Sequence, residues 1–481
     1  MTEVISTEDW VLPGRTFPAA ATPDDYRARL LAAHEQLADP DEWLFTWGYH
    51  ELWHGPIDRT ILDTISNTRP IGVWQRSCHE WFLNSAAIRR LGITEADAQG
   101  PLAAQVDLAA GRWWENGFFS VLLPKLGPIL LSDARVAAGL RQLVDYLHRQ
   151  GVTAFNEPGI LWDQEPYELY REILGPDDVP FFSSFLVDSR SQAEAGLAPE
   201  AAVRDAEAQV ARTPRGKVGL LDKHVKLFAD GAIISQLMVM KEPYLDDAGD
   251  PDPCHHGEWL MTPEVLEEYA RVYWRAGWQI HTHVNGDAGL EMLLGVLERC
   301  QADFPREDHR SVIVHFAFST EEQLDRIAKL GAIVSANPYY VAGFADKYAA
   351  HGVGAERADA MVRSASVLAR GIPLSFHSDL PMAPACPLLL AACAVNRVTQ
   401  SGRVAAPEQR ISVQDALRAV TIEAAYAWRL EDEMGSIAVG KLANLTALAE
   451  DPFAVEPARL AEIPVVGTLY EGRWFPVTPS P

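Results

Sequence analysis

Residues Thr262 to His283 read TPEVLEEYARVYWRAGWQIHTH, and the change of texture within that stretch decides the fold. It opens on Thr, Pro and Glu, the chemistry of a helix start. A hydroxyl accepts an early backbone N–H, a Pro ring gives up nothing at the first helical position, and an acid faces the positive helix end. The spacing predicts a helix over Thr262 to Ala276. The apolar run WQIHTH that follows predicts a buried strand over Trp278 to His283.

The alternation continues in both directions. Downstream, Ser311 to Phe316 (SVIVHF) predicts a strand, and Thr320 to Leu330 (TEEQLDRIAKL) a helix that begins at a capping Thr and stops before Gly331. Ala332 to Ala336 (AIVSA) and Ile372 to His377 (IPLSFH) predict two more strands. Upstream, strands are expected at Gly151 to Asn156 (GVTAFN), Val179 to Val187 (VPFFSSFLV) and His224 to Ala229 (HVKLFA). Strand and helix in turn mean βα units around a parallel sheet, an α/β fold. Seven strands are one short of a closed (β/α)₈ TIM-like barrel. Met1 to about Gln150 reads as irregular structure and helices, with one extra strand near Pro70 to Gln75. Gly435 to Leu448 and Val465 to Phe475 read as short strands with Gly turns, a small β appendage. The expected domains are 1–430, a barrel with an inserted N-terminal region over about 1–150, and 431–481.

Of the 481 residues, 48% are apolar and 22% charged, a balance that excludes intrinsic disorder. Lys and Arg number 41 against 66 Asp and Glu, a formal charge of −25. A field of that sign repels phosphate backbones and anionic lipid, so no nucleic-acid or membrane partner is expected. Cys78, Cys254, Cys300, Cys386 and Cys393 are odd in number and never in CxxC spacing, which fits a reducing cytoplasm. No apolar run approaches the ~20 residues that span a bilayer. The opening MTEVISTEDWVLPG carries acids where a secretory signal needs bases. A cytoplasmic location and, as the commonest oligomer, a homodimer are the expectations.

Catalytic groups of such a barrel sit at the carboxyl ends of its strands. Four strands here end in groups able to ligate metal: Lys226 in HVKLFADG, His283 in HTHVNGDAG, His315 in VIVHFAF and Asp379 in LSFHSDLP. Singly each has a bland reading, since a strand His is more often a core His and a Lys in an apolar run usually snorkels. Four such groups on four strands in one order are a stronger signal.

VKLFADG, HxxGDAG, a strand ending in His and a strand ending in SDLP together resemble the amidohydrolase superfamily. More narrowly they resemble its amidohydrolase-3 branch, which includes N-substituted formamide deformylases. The resemblance runs from about Trp43 to the end and takes in WGYHE, RPIGVWQRSCHEWFLNSAA and the closing GSIAVGKLANL. It implies that Lys226 becomes a carbamate bridging divalent ions, with zinc expected. It implies that His283 and His315 each bind an ion, and that Asp379 binds metal and takes the proton of the bridging water. The implied substrate is a small N-acyl or N-formyl amine or a cyclic amide, cut at its C–N bond. His79, in SCHEWFLNS, is a candidate for substrate contact or for a structural hydrogen bond, and His281 is a further candidate for substrate contact. The C-terminal strands are implied to be part of a β-sandwich.

One departure matters. The superfamily's first strand ends in His-x-His, and no such pair precedes Gly151. The His-x-His that the chain does carry, His281-Thr282-His283, lies on the implied fifth strand. Together with the count of seven strands, this implies a barrel without its first strand, lacking roughly 50–70 residues, the size of one βα unit and a few sandwich strands. The expectation that follows is a weakly active or inactive chain. The rival to an enzyme is a catalytically inactive barrel kept as a binding protein.

His50-Glu51-Leu52-Trp53-His54 matches the zinc-protease pattern HExxH. Gly48 before it and Gly55-Pro56 after it leave room for under two helical turns where a long helix is required, and the amidohydrolase resemblance implies a loop near the substrate pocket here. His255-His256 beside Cys254 reads as an exposed loop. Trp113, Trp114 and Trp162 are candidates for an aromatic pocket lining or for core. No GxSxG elbow, phosphate-cradling loop or dinucleotide fingerprint occurs.

Overall fold

The computed structural model describes residues 2–7, 10–12, 15–17, 19–100, 103–158, 167–246 and 248–478. Trp162 lies outside the described residues. Two compact units are present: Met1–Gln142 with Gly231–Gln236, and Leu143–Asp230 with Leu237–Pro481.

The second unit is built on seven parallel strands: β1 (Ala154–Glu157), β2 (Phe182–Asp188), β3 (Val218–Phe228), β4 (Gln279–Val284), β5 (Val312–His315), β6 (Ile333–Ala336) and β7 (Leu374–Phe376). Each pairs with its neighbours in chain order, and the sheet curls into a TIM-like half barrel. Each of the seven overlaps an apolar run read from the sequence, though β3 starts six residues before the expected His224. β4 and β5 are buried at every residue, as expected of strands covered on both faces. Between β2 and β3 the pairing advances from Phe185↔Leu220 to Val187↔Val225, so β3 carries extra residues there. Lys223, inside this bulge, adopts φ +58°. Such a bulge re-aims the side chains after it, and Lys226 is one of them.

The helices keep their predicted starts. Thr262 accepts from Val265 N–H at 3.4 Å ahead of Pro263–Arg275. Thr320 and Gln323 form a reciprocal capping box ahead of Glu321–Leu330, which ends at Gly331 in the left-handed conformation. Pro263–Arg275 buries Leu266, Tyr269, Ala270, Tyr273 and Trp274, one face of a 3.6-residue repeat. Each large apolar side chain so buried contributes about 1.5–3 kcal/mol.

Leu445–Leu448, Val465–Tyr470 and Arg473–Pro476 form a three-stranded antiparallel sheet inside this second unit. Tyr470 and Phe475 pack with Phe182, Leu186 and Leu221 of β2 and β3.

The first unit departs from the sequence reading. The expected strand is there as Ile71–Gln75, but it belongs to a six-stranded mixed sheet rather than standing amid irregular structure. Its other strands run over two to six residues, too short for a period-2 pattern to register. Aromatic packing holds them. Trp81 and Trp113 are fully buried, Trp74 stacks on Trp81 at 5.2 Å, and Trp114 lies under the Arg112 guanidinium at 4.6 Å. Trp113 is therefore core. Among the described residues no single helix is long and apolar enough to cross a membrane.

Candidate active site

Lys226, His283, His315 and Asp379 lie at or just beyond the carboxyl ends of β3, β4, β5 and β7. Register sets His283 beside Phe228, two residues on from Lys226, which pairs with His281. The Phe228 ring contacts both, with the Lys226 ammonium 5.2 Å and the His283 ring 5.6 Å from its centre. The His283 and His315 rings meet edge to face at 4.4 Å. His315 Nδ1 stands 3.9 Å from Asp379 Oδ2. Asp379 is 44% exposed at its side chain, which leaves it the member of the group most open to an incoming molecule.

Backbone strain gathers at the same place. His315, Phe316 and Asp379 have φ of +78°, +52° and +57°, left-handed values that cost a non-glycine residue of order 1–3 kcal/mol each. The structure over-determines them: Phe316 N–H donates to Val284 O at 3.1 Å and Met382 N–H to Asp379 O at 2.7 Å.

Lys226 is only 2% exposed. Burial pulls its pKa down to about 8, while Asp379, Glu157 and Asp188 pull the other way. A stability prediction follows. Lys226→Met keeps the length and removes a buried charge, so without added metal it should be more stable at pH 7 by about 1–3 kcal/mol in urea unfolding. In the native protein the folded pKa of about 8 lies below the ordinary 10.5. The unfolded chain then binds more protons between those values, and this lysine's contribution to stability rises with pH across that window. The variant should lack this rise. Lower stability, or the same slope as the native chain, contradicts the reading.

Three residues near the site escaped the sequence reading. His377, two positions before Asp379, brings Nε2 to 3.0 Å from His315 Nδ1, and its own Nδ1 meets Ser335 Oγ at 3.1 Å. Burial pushes its pKa down to about 3, with the Lys226 charge adding to the effect. Its place inside SFHSD, one residue past the end of β7 and two before Asp379, was a usable signal. Tyr340, from the next βα turn, has its hydroxyl 3.3 Å from His315 Nδ1, and nothing local marks it. Asp230, the acid of FADG, is fully buried. It accepts from Asn285 N–H at 2.9 Å, Gly286 N–H at 2.7 Å and Val239 N–H at 3.0 Å. It thereby ties FADG to NGDAG. A Cβ on Gly286 would lie 2.1 Å from Val239 O, which is why glycine stands there.

His281 turns away from this group, with Nε2 3.0 Å from His224 Nδ1 and both rings buried. In the first unit, His79 Nδ1 pairs with the buried Glu115 Oε2 at 2.7 Å, and Glu115 Oε1 accepts from Ala232 N–H at 3.2 Å. The HExxH match is a four-residue helix, Glu51–His54, rather than the expected loop, and it ends at Gly55. His54 Nδ1 accepts from His50 N–H at 3.0 Å, so its Nε2–H donates to Ala20 O at 2.8 Å. With both His54 ring nitrogens committed to backbone, the zinc-protease reading fails. His255 stacks on Tyr244 at 4.4 Å, and His256 bonds to Met240 O. Among the described residues, no three His, Cys, Asp or Glu side chains already stand close enough together to enclose an ion.

The second unit is thus a TIM-like half barrel of parallel strands with ionisable groups at the strand ends. Residues 19–475 match the model of the Amidohydrolase family, and the chain belongs to that family. It is 24% identical over 470 residues to YtcJ of Bacillus subtilis (strain 168), covering 95% of this chain and 84% of that one. It is also 24% identical over 492 residues to the N-substituted formamide deformylase of Arthrobacter pascens, covering 95% and 82%. The crystal structure of an uncharacterised metal-dependent hydrolase from Pyrococcus horikoshii OT3 shares the fold, with a TM-score of 0.64 at 20% identity over 91% of this chain and 82% of that one.

Proposed function

We propose that this protein is a metal-dependent hydrolase that cuts a C–N bond in a small molecule, an N-formyl or N-acyl amine or a cyclic amide. The observation that carries the reading is the approach of His315 Nδ1 to Asp379 Oδ2 at 3.9 Å, beside the His283 ring, at the ends of three strands. Family membership and the deformylase relative support the choice of bond.

The donor chemistry fits a divalent ion. His283, His315 and Asp379 would hold it, and two imidazoles with one carboxylate suit zinc. Lys226 as an ammonium cannot ligate a cation. Its pKa of about 8 leaves a fraction as free amine near neutral pH, and that amine adds to carbon dioxide, sheds a proton and becomes an anionic carbamate. The chemistry such an ion would supply is Lewis acidity towards the scissile carbonyl and the attacking water. Asp379, on the open side, accepts the water's proton on a carboxylate oxygen and returns it to the departing amine nitrogen.

A second reading, a barrel that binds without catalysis, is favoured by one observation: the described His, Cys, Asp and Glu side chains do not yet enclose an ion. Metal analysis of the purified full chain, followed by assay on N-formyl and N-acyl amines with zinc and bicarbonate, separates the two. Stoichiometric metal and release of free amine support the hydrolase. Metal-free protein that leaves every substrate intact overturns it.

A further inference from the structure

We infer that His377 is a metal ligand of this chain, completing with His315 and Asp379 a set for one divalent ion; this rests on the metal-dependent reading above. Three observations carry it. First, His377 Nε2 and His315 Nδ1 are 3.0 Å apart. Two nitrogens bound to one zinc at ~2.0–2.1 Å stand about 2.9 Å apart at right angles and about 3.4 Å apart in a tetrahedron, so the pair already has the spacing of neighbouring ligands.

Second, a hydroxyl holds the His377 ring from its far side. Ser335 Oγ lies 3.1 Å from His377 Nδ1, and when that nitrogen donates its N–H to the hydroxyl, Nε2 is left as the electron-pair donor facing His315. His315 Nδ1, when its ring proton is on Nε2, turns its one electron pair to the same side, and the Tyr340 hydroxyl 3.3 Å away would have to release that pair for an ion to take it. Two electron pairs facing each other at 3.0 Å repel unless a cation lies near them, either a proton or a metal ion.

Third, the anionic group is in place. Asp379 Oδ2 is 3.9 Å from the same His315 nitrogen and must close by roughly half an ångström or more to join the other two. This is a small side-chain movement for a residue 44% exposed. The serine, the histidine and the aspartate come from β6 and from the segment leaving β7, so the sheet itself sets their spacing.

The test is titration of metal-stripped full-length protein with zinc by calorimetry, and with cobalt(II) by visible absorption, on native chain, His377→Gln and Ser335→Ala. Circular dichroism and thermal melting check that each is folded. His377→Gln should weaken zinc binding about 100-fold or more and change the cobalt spectrum, and Ser335→Ala should weaken binding about 10-fold. If His377→Gln folds and binds within threefold of native chain with the same cobalt spectrum, the assignment is overturned. Should His377→Gln not fold, Ser335→Ala decides, and unchanged affinity there overturns it as well. If the native chain itself takes up neither ion, the metal-dependent reading falls with it, an outcome distinct from failure of the His377 assignment alone.

Discussion

Asp230→Ala should unfold the protein or bring it to the edge of unfolding. The carboxylate is fully buried and accepts three backbone N–H groups, from Val239, Asn285 and Gly286. Truncation leaves all three donors buried and unsatisfied, at about 1–3 kcal/mol apiece. The sum is a large part of the ~5–15 kcal/mol by which domains are stable. Asp230→Asn should lie between, since its amide keeps one acceptor oxygen and turns an N–H₂ towards donors. Urea unfolding followed by circular dichroism measures both. A loss under 1 kcal/mol in the alanine variant means that the clamp between the two motifs is not what holds the strand ends together.

Asp379→Asn should lower kcat/KM on an N-acyl or N-formyl amine by about 10³-fold, within the 10²–10⁴ range of a positioned proton acceptor. The amide is nearly the same size and stays in the same strained, left-handed backbone position, so the fold should survive. It cannot take a proton from water, and it is a poorer ligand than a carboxylate. Saturating zinc separates the two effects: metal occupancy should be restored while kcat stays low. Recovery of more than a tenth of native kcat under those conditions removes Asp379 from the proton-transfer role. The result also bears on the non-catalytic reading, since a binding protein shows no hydrolysis to lose.

Much of the site was legible from residue types at strand ends. Lys226, His283, His315 and Asp379 were all marked by apolar runs that close on an ionisable group. His281 was not separable from His283 by that logic, since both sit on one buried strand. Its bond to His224 depends on the register between β3 and β4. His79 likewise looked like a pocket residue, and its partner Glu115 lies 36 positions away, beyond any local pattern. In the first unit, short strands in aromatic-rich sequence carry no periodicity to read, so the six-stranded sheet was invisible.

The amino-acid sequence by itself determined the seven parallel strands, the helix starts between them and the four groups at the strand ends. These follow from side-chain period and capping, which act over a few residues. Tertiary structure alone decided that Asp230 is a clamp and that His377 and Tyr340 meet His315. It also bound both nitrogens of His54 to backbone. The contacts that decide them, Asp230 with Asn285 and Gly286, His377 with His315, and His54 with Ala20, join segments far apart along the chain and follow from tertiary packing rather than from any spacing in sequence.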